Sequence, residues 1–500
     1  MQRLKDMKKY ARRYYKILYK EVDVVGTNEE DIFEVEFFED GKLLVKLFRD
    51  SKKHGKVLRY KRIFDPSITK EVRLFGLADK DEFILKGKAS KKIKLRVVGG
   101  EGKDKVSNHL QNKKNKFIIV QDNPEGIKKK GLAGLKTKIN NKLENNEYNR
   151  NQFRYNNTLP KLMFGRTFDD GFWFGAGFKR TTYGYQKTPY KNQHDFDISV
   201  APTSRSFVNL NYRGAFTDFP ISNITFFPSL FIHNPNYLNF FGFQNELPAQ
   251  NVTRRFNWVR ISSYGLHPLF GKTWNNNRVT LMFGPTYESH QLKIQEGRVL
   301  DEYDAFSDED FERDHFIGFR AEMNASAVEQ PIDPTFGFRF NVSSAYNYNL
   351  ISPARTLNFN TSLTFYVPLF TTPKVTLANR VGYNHVFGSP EIYQLPSLGI
   401  NTFLRPYRND RYRGDGIFYH QIDLRASLFS WNNNFFPMKV GVTGGYDYAK
   451  AFVQDFANSA WLQGFSTGIS MNILDAFVIH PFMTFSEEGR FFNLATGFSF

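Results

Sequence analysis

Cysteine is absent from the 500 residues, so no disulfide framework holds this fold. Long apolar runs are missing too. No stretch of ~18 apolar residues occurs, which excludes a transmembrane helix, and the mean hydropathy is −0.47. The N-terminal stretch Met1-Gln-Arg-Leu-Lys-Asp-Met-Lys-Lys lacks the apolar core of a secretory signal. The ten histidines are scattered without metal-ligand spacing. Aromatic residues, by contrast, are in excess. They make up 17% of the chain, with 53 Phe and 25 Tyr, and that excess needs a place to be buried or greased.

The C-terminal residues suggest the place. Counting back from the end, Phe500, Phe498, Thr496, Leu494 and Phe492 fall on one face of a strand, with Ser499, Gly497, Ala495 and Asn493 on the other. The alternation recurs upstream. Leu357, Phe359, Thr361, Leu363 and Phe365 alternate with Asn358, Asn360, Ser362 and Thr364. Phe336, Phe338, Phe340 and Val342 alternate with Gly337, Arg339, Asn341 and Ser343. Val208, Leu210 and Tyr212 do so with Asn209, Asn211 and Arg213, and Ile422, Leu424, Ala426 and Leu428 with Asp423, Arg425 and Ser427. Unpaired Arg, Asp and Asn are rejected by a dry core and accepted by a wet lumen. A transmembrane antiparallel β-barrel is therefore expected, apolar toward lipid and polar inside. A large soluble β-sandwich is the alternative, since its outer faces are also polar.

Charge divides the chain. Residues 1–150 hold 38 Lys+Arg against 22 Asp+Glu, a balance of +16, and the rest carry only +2. No nucleic-acid recognition motif accompanies these lysines, and a module near anionic headgroups fits better. Residues 1–22 read as an amphipathic helix, with Leu4, Met7, Ala11, Tyr14 and Leu18 on one stripe. The helix either packs on the following sheet or ends an upstream domain. Residues 30–106 are strand-rich, with a hairpin turn at Glu39-Asp40-Gly41-Lys42. The expected division is a basic helix plus β-rich module over 1–106, a Lys/Asn-rich linker over 107–159 and a barrel over 160–500. The last part is long enough for about 16 strands of ~10 residues. An outer-membrane chain must be exported, so the missing signal leads us to expect that this is the C-terminal part of a longer protein.

Motifs for chemistry do not hold up. Gly464-Phe-Ser-Thr-Gly468 fits the serine-hydrolase elbow, but it lies on an alternating strand with no helix after it. Gly265–Thr273 has the wrong spacing for a phosphate-binding loop. The acidic run Glu296–Asp314 reads as a solvated loop, because an EF-hand glycine is not in place. Gly99-Gly-Glu-Gly-Lys-Asp104 matches half of a calcium-binding β-roll repeat, with a looser echo at Gly76–Asp81. Such ions sit between stacked turns. One good turn points instead to a glycine-rich corner joining short strands, leaving Asp104 as a weak metal candidate. No catalytic residue and no cofactor are expected.

The strongest signal is Leu398-Gly-Ile-Asn-Thr-Phe-Leu-Arg-Pro-Tyr-Arg-Asn-Asp-Arg-Tyr-Arg-Gly414, ahead of the strand Phe418–Leu428. Here the chain resembles the bacterial surface-antigen superfamily of outer-membrane barrels, the BamA/TamA-like proteins. Leu404-Arg405-Pro406-Tyr407 takes the place of that family's loop-six motif, with Pro406 where glycine is usual. The resemblance implies a loop folded back into the lumen and Arg405 pinned by a carboxylate, Asp447 first and Asp423 second. Phe498 and Phe500 then stand for the terminal signal read by the barrel-assembly machinery. Thr69–Gly76, Gly99–Asp104, Asp169-Asp-Gly171, Asn239-Phe-Phe-Gly242, Asn245-Glu246 and Ser486-Glu-Glu-Gly489 are similar to Bacteroidetes proteins that join a metallophosphoesterase to such a barrel. What this implies is assembly or translocation of outer-membrane proteins, with the N-terminal module in the periplasm. Its partners would be outer-membrane lipid, the assembly machinery and client proteins. A membrane anchor for an upstream phosphoesterase, or a passive pore, is the alternative.

Overall fold

From Asn157 onward the two-residue alternation gives sixteen antiparallel strands, each hydrogen-bonded to its neighbours, and the sheet closes on itself. The computed structural model describes residues 2–498 apart from 52–54, 113, 129–130, 140–145, 153, 203–205, 248–254, 276–277, 304–305, 434–435 and 454–459. Two compact units result, Met1–Phe153 and Arg154–Phe500.

In the second unit the alternation sorts side chains as expected. Leu162, Phe174, Phe283, Phe319, Phe338, Leu363, Leu424 and Ile469 stand exposed on the outer wall. Their strand neighbours Thr364, Asp423 and Arg425 are buried inside. A wall of exposed Phe and Leu that encloses Arg, Asp and Asn is built for lipid outside and polar contents within. The barrel is transmembrane, and among the described residues no helix is long and apolar enough to cross a membrane. By strand parity, the long connections 239–258, 293–314 and 388–416 emerge at one rim, together with the short turns 167–171 and 486–489. In the acidic run, Asp301 and Asp310 accept backbone N–H groups from Gly297 and Ser307, so part of that charge caps tight turns.

The last strand departs from expectation. It runs Gly489–Thr496 and stops, because Gly497 takes φ +91°, a turn open to glycine. The turn carries Phe498 across to the lumen side, 4.1 Å over the Arg425 guanidinium and 5.6 Å from the His480 ring. Phe498 is therefore not on the lipid face with Phe492. Phe500 lies outside the described residues.

The first unit is a stack of parallel coils. Glu21–Val25, Glu71–Leu77, Lys94–Gly100, Asn115–Asp122 and Leu135–Ile139 form one parallel sheet. Asp31–Phe37, Glu82–Gly87 and Lys105–Leu110 form the parallel part of the other. The middle coils repeat after 23 residues, as in Glu82↔Lys105, Glu71↔Lys94 and Leu95↔Ile118. Val24, Phe33, Val72, Leu74, Phe83, Leu95, Val97, Val106, Ile118 and Val120 pack between the sheets. The expected hairpin at 39–42 is present and joins Asp31–Phe37 to Leu43–Ser51. The glycine corner at 99–104 does join two short strands, yet it stacks on the Gly76–Asp81 corner one coil away. Gly100 sits at φ +109°, and a Cβ there would lie 2.2 Å from the Leu77 carbonyl oxygen, so only glycine lets the coils close. The linker over 107–159 is corrected: strands of the coil continue at Lys105–Leu110, Asn115–Asp122 and Leu135–Ile139, and barrel strands begin at Asn157.

The helix runs Gln2–Leu18, shorter than 1–22. Its end touches the sheet, where Arg62 donates to the Tyr15 hydroxyl and lies over the Tyr19 ring. Met7, Tyr10 and Tyr14 are exposed.

Candidate functional site

A barrel of sixteen strands leaves space that side chains from the wall do not fill. Here residues 388–416 enter that space. Leu398, Leu404 and Tyr407 bury against Ile417, Tyr419, Ala449, Ala451 and Leu462 of the wall. Phe403 stacks flat on Tyr419, with centroids 3.9 Å apart, and the Arg380 guanidinium lies 4.9 Å from the Phe403 centroid and 5.9 Å from that of Tyr419.

Arg405 stands at the centre of the contact. Its Nη1 donates to Asp423 Oδ1 at 2.7 Å, and its Nε and backbone N–H donate to Asp447 Oδ2 at 2.9 and 3.0 Å. Nη2 reaches the other oxygen of Asp447, completing a two-pronged fork. Asp423 is also shared with Arg425 at 3.3 Å. Gly445 makes the room, since a Cβ there would lie 2.7 Å from Asp423 Oδ1 and 2.8 Å from Arg405 Nη2. The structure thus brings together Arg405, Asp447 and Asp423.

Pro406 fits without strain at its own position. The left-handed residue of this turn is Phe403, at φ +53°. The proline ring lies against Gly464, where a Cβ would come within 2.6 Å of it, and its carbonyl accepts from the Ser486 hydroxyl at 2.8 Å. The glycine of the hydrolase-like pattern is therefore a seat for the loop. Tyr407 donates to the Gln463 carbonyl at 3.2 Å.

Three more arginines follow at steps of three, three and two, and sequence reading assigned none of them a partner. Arg408 donates to Asp169 Oδ1 at 2.7 Å, with Asn409 N–H on Asp169 Oδ2 at 3.0 Å. Arg411 pairs with Glu488 and stacks 4.5 Å from the Phe241 ring. Arg413 pairs with Asp410 at 3.3 Å and donates to the carbonyls of Asn239, Ile392 and Leu395. Asn245 clamps the Arg413 backbone from both sides at 2.8 and 2.9 Å. So Asp169-Asp170, Asn239, Asn245 and Glu488, scattered in sequence, are one set of anchors for one loop. The signal available in the sequence was the spacing of the arginines together with short acidic turns lacking any other purpose.

Elsewhere on the wall, His267 Nε2 lies 2.8 Å from Glu288 Oε1, and His290 Nε2 lies 3.3 Å from Glu288 Oε2. In the first unit, Asp104 is fully buried. Its Oδ1 accepts the Asp81 N–H at 2.9 Å, and Asp81 Oδ1 accepts the Asp31 N–H at 2.8 Å. Burial pushes Asp81 up to about 8, Asp104 to about 7 and Asp122 to about 6, against the pull of the N–H groups they accept. These carboxyls form a structural column. No group of three metal-ligating side chains able to hold an ion occurs among the described residues.

No family model matches the chain, and no curated protein does. Among solved structures it is similar to BamA from Haemophilus ducreyi lacking POTRA domains 1–3, at 12% identity and a TM-score of 0.49, covering 74% of each chain. It is also similar to CdiB from Escherichia coli, at 10% identity and a TM-score of 0.45, over 68% of this chain and 63% of that one. CdiB from Acinetobacter baumannii follows at 10% and 0.42, over 68% and 59%.

Proposed function

We propose that this protein assembles or translocates proteins at the bacterial outer membrane, using the junction between its first and last strands as an opening. The observation that carries the reading is the thinness of that junction. Among the described residues, Asn157–Thr167 and Gly489–Thr496 share one register pair, Arg166↔Leu494. Every other neighbouring pair in the barrel shares seven or more. Arg166 Nη1 also reaches the Phe492 carbonyl at 2.6 Å, so a side chain stands in for missing backbone rungs. Strand edges left unpaired offer N–H and C=O groups to an incoming strand. The loop pinned by Arg405 keeps the lumen filled meanwhile, which sets this reading apart from a passive pore. In this reading the loop-bearing rim faces outward and the basic N-terminal unit lies in the periplasm.

The chain has no cysteine, which makes the test clean. Arg166→Cys with Leu494→Cys places two thiols on directly paired residues, within disulfide reach. Oxidation is expected to lower the levels of outer-membrane proteins in cells that depend on this variant, and reductant is expected to restore them. Normal levels with the bond closed overturn the reading. If depleting the protein also leaves those levels unchanged, a membrane anchor for an upstream enzyme becomes the better account.

A further inference from the structure

Beside the buried loop lies a cavity of about 420 Å³ between the barrel wall and the loop, and the function proposed above makes no use of it. Trp173, Asn209, Asn236 and Tyr237 line it from the wall, and Asp170, Asn401, Asn409 and Asp410 from the turn and the loop. Its size is within the range that holds a small organic ligand.

The chemistry of the lining is one-sided. Asn409 is 2% exposed and locked, because its N–H donates to Asp169 and its Nδ2 to Asp170 at 3.0 Å. That fixes its Oδ1 as an acceptor, and this buried oxygen has no partner among the described residues. Asn209 Oδ1, on the opposite wall, is likewise a buried acceptor without one among them. A buried acceptor left unmet costs about 1–3 kcal/mol, so the site favours a ligand that brings donors. The carboxylates are already engaged. Asp170 accepts from Thr167, Asn401 and Asn409, and Asp410 accepts from Ser397 and Arg413. Among the described residues, the amide oxygens of Asn209 and Asn409 stay open, and neutral acceptors of this kind suit a hydroxyl better than a cation.

The third feature is a flat surface. An atom added at Gly165 would lie 2.7 Å from three atoms of the Trp173 indole, so that ring rests across the neighbouring strand as a platform. Tyr237 adds a second ring. Apolar C–H faces need such platforms, and hydroxyl rims need acceptors around them. Both together fit a pyranose.

We propose that this cavity binds a neutral saccharide unit, with its C–H face on Trp173 and its hydroxyls donating to Asn209 and Asn409. The inference stands apart from the function proposed above.

The test uses the full chain in detergent on an array of neutral oligosaccharides of glucose, galactose, mannose and N-acetylhexosamines. At least one class is expected to be retained. Asn209→Ala and Trp173→Leu are each expected to weaken retention tenfold or more, with the barrel still folded by its heat-dependent gel shift. The bound sugar is also expected to slow hydrogen exchange in Phe207–Thr217 of the unmutated protein, a readout that needs no variant. No retention of any neutral sugar overturns the proposal. So does retention that both variants leave intact, or displacement of the sugar by tetramethylammonium at equal concentration.

Discussion

Arg405 makes its case at the scale of one side chain. Two aspartates, 2% and 1% exposed, divide its guanidinium between them, and neither charge has water to fall back on. Removing one partner of such a buried set leaves the others uncompensated, at about 3–5 kcal/mol. Arg405→Ala is expected to lower the temperature at which the compact barrel band is lost on a cold detergent gel. Arg405→Lys is expected to fall between, since an ammonium cannot fork onto Asp447 and reach Asp423 together. Asp447→Asn in the Ala background is expected to recover part of the loss. Equal melting of all four proteins contradicts a bracing role. Arg405 and Asp447 were named in the sequence through the resemblance of the loop and of Gly445-Tyr-Asp-Tyr448 to the barrel superfamily, and Asp423 was also placed inward by the alternation of its strand. The anchors Asp169 and Glu488 were not legible as such, since a two-carboxylate turn looks the same whether it faces solvent or a buried guanidinium. Phe498 was misplaced for a similar reason. Alternation was carried through Gly497, where the backbone turns instead.

At the scale of an element, the parallel stack carries a column of carboxyls that no annotation of single motifs brings out. Asp31 and Asp81 are 50 residues apart, and Asp81 and Asp104 are 23 apart, yet each donates its N–H to the next. The first step is longer because the hairpin of Leu43–Ser51 and Gly55–Phe64 is inserted there. That insertion hid the repeat, since two coils of equal length do not announce a period. Barrel strands were easier, because lipid on one side and water on the other enforce a period of two at every residue. The column has a pH consequence. Asp81, Asp104 and Asp122 keep protons in the folded state that the unfolded chain releases near pH 4. Between about pH 4 and 8 the folded state therefore holds more protons, and its stability falls as pH rises through that window. Hydrogen exchange in Lys94–Gly100 is expected to be slower at pH 5 than at pH 8, after correction for intrinsic rates. Asp104→Asn keeps the acceptor for the Asp81 N–H and is expected to flatten the slope. A wild-type profile already level across this range removes the column as its cause.

At the scale of the whole barrel, the question is what a loop of this kind does to a cylinder. Sixteen strands enclose a lumen wide enough for water and ions unless something occupies it. Residues 388–416 occupy it with four buried arginines, each answered by a carboxylate from the wall, a rim turn or the loop itself. Such an arrangement costs desolvation at every charge, so it is not the cheapest way to stabilise a barrel, and apolar packing would do as well. Its use is geometric: forked ion pairs fix where the loop lies and let it leave as a unit if water reaches them. Replacing residues 400–413 with a Gly/Ser linker of equal length removes all four arginines and leaves the sixteen barrel strands intact. In a planar bilayer, wild-type protein is expected to show little steady current and the linker variant a large, long-lived one. Equal conductance in the two proteins means that the loop does not close the lumen. A variant that no longer forms a heat-shifted band at all means instead that the arginines are needed to build the cylinder. A gel run beside the conductance trace tells the two outcomes apart.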